Sequence, residues 1–168
     1  MIVALDHVSV RAAPPGVALD GHRVMLDRSY LEVGHEGEPL LFLRPERAGA
    51  GDPRAGCGGP AAIGEAARLL GREPVPFTGR DGEWLDLELA GPVALTRRVA
   101  PQAIARDWPP PRAGAPSLQT VRVRGDAAAL LDPLEALGGP PPGLVVDHAP
   151  GEPLRIVGVL LSDGVQVL

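Results

Sequence analysis

The sequence predicts an α+β fold in which one module, βαβββ, recurs in differing states of completeness. Three observations carry this. Apolar, β-branched stretches with strand character recur along the whole chain. Only two stretches have helical spacing, and each is followed by a glycine. The last third reads, in order, strand, helix, strand, strand, strand.

Ile2 to Val10 (IVALDHVSV) is predicted as a strand buried on most of both faces. Ala12 to Gly16, with Pro14-Pro15, is a loop where a first helix is expected. His22 to Leu26 and Tyr30 to Val33 form a hairpin around Asp27-Arg28-Ser29, and Pro39 to Leu43 is a further strand. Gly49 to Pro60 is a glycine-rich loop and a module boundary. Ala61 to Leu70 places Ala62, Ala66, Leu69 and Leu70 on one helical face, with Gly71 as C-cap. Trp84 to Leu89 (WLDLEL) alternates strictly, with Asp86 and Glu88 opposite Leu85, Leu87 and Leu89. Gly91-Pro92 turns the chain into a strand from Val93 to Val99, and the proline-rich Pro101 to Pro116 is a linker. Leu118 to Arg124 is a strand and Ala127 to Leu137 a helix, with Asp126 as N-cap and Gly138 as the stop. Pro133 is compatible with that helix only near a start or a break. Leu144 to Asp147, Leu154 to Leu161 and Val165 to Leu168 complete the set. The organisation is a first module over 1–48 with its helix shortened or lost, a middle segment over 49–116, and a last βαβββ module over 117–168, all in one domain.

Composition narrows the function classes. The chain has 168 residues, 22 Gly and 20 Pro, yet 45% are hydrophobic and the net charge is only −5, too apolar for a disordered chain. One cysteine, Cys57, excludes a disulfide framework and a multi-cysteine zinc site. All 16 basic residues are arginine, so no lysine serves a Schiff base or a phosphate loop. The acidic balance and scattered arginines argue against nucleic acid, and no apolar run is long enough to span a bilayer. With no secretion signal at Met1 to Val10, the expected location is cytoplasmic.

Four short motifs resemble the vicinal oxygen chelate superfamily, specifically its glyoxalase-like branch. Leu5-Asp6-His7-Val8 resembles the opening LDHV strand, and Tyr30-Leu31-Glu32-Val33 the later YLEL strand. Arg80-Asp81-Gly82 followed by Trp84-Leu85-Asp86-Leu87 resembles the mid-domain DG and W-x-L stretch, and Ser162-Asp163-Gly164-Val165 the closing turn. The resemblance implies a curved sheet around a small-molecule pocket, with His7 and Glu32 as two ligands of a divalent metal and Glu32 as the catalytic carboxylate. It departs from the family where the partner module's histidine and glutamate are expected: Arg97 and Arg98 stand on one strand, and Leu154 to Leu168 holds no glutamate. The implied activities are lyase, isomerase or ring-cleaving dioxygenase chemistry. The alternatives are a metal-free small-molecule binding protein and a non-catalytic assembly domain, so enzyme status stays open. An incomplete first module suggests completion of the sheet in a homodimer.

By period-two counting, His7 shares a face with Val3, Leu5 and Ser9, and is a pocket ligand or base, or a half-buried histidine bonded to backbone. A two-residue turn sets Arg23 opposite Glu32 and makes an ion pair; a three-residue turn sets Val24 there and frees Glu32 to face a pocket. His22 is the substitute third metal ligand, or a solvent-exposed loop-end residue. Tyr30, Trp84 and Arg97 are the substrate-binding candidates, Arg97 for a carboxylate or phosphate. His35 is expected on an exposed turn, and His148, which ends a strand before Ala-Pro-Gly, is also expected to be exposed. Cys57 carries only a minor nucleophile reading.

Overall fold

The long apolar stretch at the start of the chain forms the strand around which the larger sheet is built. In the computed structural model, which describes residues 1–46, 59–79, 82–99 and 113–168, β1 is Ile2–Val10. It is followed by β2 (Arg23–Met25), β3 (Tyr30–Val33), β4 (Leu40–Glu46), α1 (Gly59–Leu70), β5 (Val75–Gly79), β6 (Gly82–Ala90) and β7 (Val93–Arg98). The last third supplies β8 (Leu118–Gly125), α2 (Ala127–Ala136), β9 (Leu144–His148) and β10 (Arg155–Leu161). Cys57, Asp81 and Trp108 lie outside the described residues.

The fold is mixed α+β. Seven strands run in the order β2-β3-β1-β4-β7-β6-β5, and three in the order β10-β8-β9. The larger sheet curls into a half-barrel. Its inner face is marked by side chains three strands apart that still converge: the His7 ring on β1 and the Trp84 ring on β6 are 6.4 Å apart. On a flat sheet their backbones would stand roughly 14 Å apart, at ~4.8 Å per strand.

The outer face is apolar and covered by the helices. Val3, Val8 and Val10 from β1, Leu41 and Leu43 from β4, and Leu95 from β7 join Ile63, Ala66, Leu130 and Leu134 of the two helices in one buried cluster. That cluster also takes Val121, Val123 and Val159 from the smaller sheet, so both sheets share a core. Both helices stop in the same way. After α1, Gly71 takes φ +62°, Arg72 N–H donates to Ala67 C=O, and Gly71 N–H donates to Arg68 C=O. After α2, Gly138 and Gly139 repeat those two bonds to Glu135 and Leu134. Both are the left-handed glycine cap that the sequence predicts.

Five expectations need correction. His7 does not share a face with Val3 and Leu5. A β-bulge between Leu5 and His7 shifts the phase, so Leu5 pairs with Leu43 while His7 pairs with Phe42. The extra residue puts His7 on the inner face, which period-two counting cannot anticipate. The helix α2 runs through Pro133; its missing N–H leaves the carbonyl of the exposed Ala129 without an intrahelical donor. Asp126 stands at the N-cap of α2 but makes no side-chain cap; the imidazole Nδ1 of His148 instead accepts from Ala127 N–H at 3.3 Å. The stretch Val165–Leu168 contributes only a bridge, Leu160 to Gln166. Finally, β5 (VPFTG) was not anticipated: it is exposed over most of its length, includes Pro76, and so shows no burial alternation.

Candidate functional site

The inner face of the half-barrel carries an unusual row. His7 pairs in register with Tyr30 on β3 and with Phe42 on β4, so three rings stand side by side across three strands. The imidazole stacks on Tyr30 at 4.4 Å and 10°, and on Phe42 at 4.4 Å and 14°. Trp84 stands beyond, tilted at 55° to the imidazole. With both ring faces covered, His7 acts through its two edge nitrogens only.

Each nitrogen meets a carboxylate. His7 Nδ1 lies 2.8 Å from Asp6 Oδ2, and both side chains are 6% exposed. Burial raises the Asp6 pKa, but the His7 hydrogen bond and the charges of His7, Arg44 and Arg97 outweigh it, leaving the carboxyl below the ordinary aspartate range. An ionised Asp6 accepts, so Nδ1 carries the proton and Nε2 presents its lone pair when the ring is neutral. The other Asp6 oxygen, Oδ1, accepts from Arg44 Nη1 at 3.1 Å, and Arg44 also pairs with Glu46 at 2.9 Å. Asp6 is thereby fixed from two sides, and it fixes the imidazole.

On the other edge, His7 Nε2 faces Glu32 Oε2 at 3.7 Å, too long for a hydrogen bond. Glu32 stands opposite Arg23 in the β2–β3 register. That is the two-residue-turn alternative: Leu26 N–H donates to Ser29 C=O around Asp27-Arg28, with Arg28 at φ +59°. Yet pairing with Arg23 does not turn Glu32 away from the imidazole, because Glu32 aligns with Ser9 on β1, two residues beyond His7 on the same face. The Arg23 guanidinium lies 4.9 Å from the Tyr30 ring centre.

Asp86, held by Thr96, completes the face. Burial holds the Asp86 carboxyl above the ordinary aspartate range, although a 2.6 Å hydrogen bond from Thr96 Oγ1 and the nearby His7 pull it down. Burial, first, and the Asp6 charge push the Tyr30 phenol up, so it remains a neutral hydroxyl. The substrate-binding candidate Arg97, on β7, does not join this face: it pairs with Leu85 and stands two residues from Leu95, so it lies on the outer side of the sheet, 7% exposed, with no hydrogen-bond partner for Nε and Nη2 among the described residues.

Of the predicted residues, His7, Glu32, Tyr30 and Trp84 come together. His22 does not join them as a third ligand. Its carbonyl accepts from Val33 N–H, and strand alternation puts it on the face opposite Arg23 and Glu32. Among the described residues, no group of three or more His, Cys, Asp or Glu side chains is placed to hold a metal ion. Asp6 behind the imidazole and Glu32 in front resemble a metal-binding histidine with its supporting carboxylate. Two protein donors alone do not make a tight site, so the residues described do not fit a resident divalent metal. Asp6, Phe42, Arg44, Asp86 and Thr96 were not anticipated as site residues. The signal for Asp6 was its place in LDHV beside His7. A separate open hollow of about 250 Å³, lined by Val17, Val24, Leu26 and 113–116 among others, contains none of the predicted site residues.

No family model matches the chain, and neither a curated protein nor a solved structure is similar to it. Among the described residues, no helix is long and apolar enough to cross a membrane.

Proposed function

We propose that the chain binds a small organic molecule on the inner face of the half-barrel, in the manner of a glyoxalase-like domain. One observation carries the reading: an imidazole clamped between two aromatic rings, with Nδ1 tied to a buried carboxylate and Nε2 aimed toward Glu32. Such a ring is held in one tautomer and one orientation. It is suited to accept a proton from, or a hydrogen bond to, a ligand lying against Trp84 and Glu32. Two topological features support the family reading. Strand β1 is flanked by β3 in parallel and β4 antiparallel, and β8 is flanked by β9 in parallel and β10 antiparallel. Each run thus places its opening strand centrally, as a repeated module does.

The metal-free binding protein is the preferred form. A metal-dependent lyase, isomerase or dioxygenase is the second reading, favoured only by the Asp6–His7–Glu32 alignment. Thermal-shift screening of the wild type and of His7→Ala against a broad panel of small organic molecules tests the binding claim. Stabilising compounds whose effect disappears in His7→Ala support it; a panel without effect removes it. Metal analysis after dialysis separates the two forms. Stoichiometric metal in the wild type, lost in both His7→Ala and Glu32→Ala, selects the second.

A homodimer belongs to the same reading. Val75 and Phe77 on the terminal strand β5 are 63% and 55% exposed, a feature of sheet edges that pair with another chain. Light scattering at twice 17.4 kDa supports it, and 17.4 kDa removes it.

A further inference from the structure

We infer that the ligand of the inner face is an aromatic carboxylate, its ring lying on Trp84 and Phe77 and its acid group held by Arg98; the inference rests on the small-molecule reading above. The core of this chain dispenses with aromatic side chains: the buried cluster beneath the helices consists of Val, Leu, Ile and Ala alone. Tyr30, Phe42, Phe77 and Trp84, all the Phe, Tyr and Trp side chains described, stand instead on the inner face. Two of them take no part in the clamp on His7. Phe77 pairs directly with Trp84 across β5 and β6, so both rings lie on the side of the sheet that carries His7. Phe77 is 55% exposed and Trp84 is half-buried. A Cβ on Gly79 would stand 3.2 Å from Phe77 Cε1 and 3.3 Å from Trp84 Nε1, so the two rings meet over bare backbone. A flat π system stacked on them would take this apolar surface out of water with favourable ring geometry.

A cation stands at the same place. The alternation that turns Arg97 outward turns Arg98 inward: Arg98 pairs with Trp84, as Thr96 pairs with Asp86. Its guanidinium reaches over Gly82, the inner-face position next to Trp84 along β6, where a Cβ would stand 3.6 Å from both Nε and Nη2. Equal distances mean that the side edge of the guanidinium faces this position. That edge binds a carboxylate through two parallel hydrogen bonds. Gly79 and Gly82 pair with each other, so a patch without side chains lies between the two rings and the guanidinium. Among the described residues, Arg98 makes no ion pair or hydrogen bond, and the Trp84 indole N–H has no acceptor. The other inner-face arginines are engaged elsewhere: Arg44 with Asp6 and Glu46, and Arg23 beside the Tyr30 ring. The Trp84 ring, 6.4 Å from the imidazole, joins this patch to His7.

The test is isothermal titration calorimetry of the full chain with naphthoate, benzoate, naphthamide and cyclohexanecarboxylate. The two aromatic acids should bind. Naphthamide, which keeps the rings without the charge, should bind at least roughly tenfold more weakly than naphthoate, and cyclohexanecarboxylate, which keeps the charge without the π face, more weakly than benzoate by a similar factor. Arg98→Gln and Trp84→Leu should each raise the Kd for naphthoate at least roughly tenfold. Arg122→Gln, at an exposed position of the smaller sheet, should leave it unchanged. Phe77→Ala, at an exposed position, should also weaken binding and serves if Trp84→Leu does not fold. No binding of either aromatic acid, equal affinity for naphthoate and naphthamide, or unchanged affinity in Arg98→Gln or Trp84→Leu overturns the inference. Its failure is distinct from failure of the broader reading. If neutral, non-aromatic compounds stabilise the wild type in a His7-dependent way while neither aromatic acid binds, the inference falls and the small-molecule reading stands. If no compound of any kind binds, both fall.

Discussion

Removing the Asp6 carboxylate strips the Arg44 guanidinium of one buried partner and releases His7 Nδ1. Breaking a buried pair from one side costs about 3 kcal/mol or more, so Asp6→Ala should lower the urea midpoint accordingly, and an unchanged midpoint would contradict the network. The two inner-face aspartates have opposite pH signatures. Asp6, with a depressed folded pKa, contributes stability above the ordinary aspartate range that is lost as pH falls through its folded value. Asp86, with a raised folded pKa, contributes stability below that range that is lost as pH rises through its folded value. At neutral pH, Asp86→Asn should therefore stabilise the chain. The gain should be below about 1 kcal/mol because the group is partly solvated, and urea titrations at pH 7 and pH 4 should show it shrinking on acidification. At this scale, His7, Glu32, Tyr30 and Trp84 were legible because residue type and motif position both marked them. Asp86 was seen only as the polar side of an alternating strand, and Arg44 lies one residue past the expected end of its strand. Their roles depend on curvature that no local pattern encodes.

Among the elements, the decisive feature is the bulge in β1. Nine residues of largely apolar character identify the strand, but the extra residue between Leu5 and His7, which moves His7 to the inner face, leaves no trace in composition. The helices show the converse. Their glycine stops were legible because a left-handed cap has few alternatives to glycine. The start of α2 was not, because its N–H acceptor comes from His148, a residue 21 positions on from Ala127. His148→Ala should cost about 1 kcal/mol, in the range of lost N-caps; an Asp126→Ala change of equal size would mean that Asp126 and not His148 caps the helix. Strand β5 escaped notice because an exposed edge with a proline lacks the burial rhythm by which strands are recognised.

Across the whole molecule, one apolar cluster joins the outer face of the half-barrel, both helices and the smaller sheet. Far- and near-ultraviolet circular dichroism should accordingly report a single coincident thermal transition; two separated transitions would mean that 117–168 unfolds alone. The fold class was legible from the order of strands and helices, whereas the joining of β4 to β7 in parallel across the middle segment was not, because it depends on non-local pairing. What the architecture accomplishes is to cover both faces of one imidazole and to fix its proton on the side away from the open edge. Nitrogen-15 NMR of histidine-labelled protein reads this directly, with His7→Ala assigning the ring. The account predicts that the neutral His7 ring carries its proton on Nδ1 and that the Nε2 resonance moves on ligand addition. A neutral His7 ring with its proton on Nε2 would contradict it.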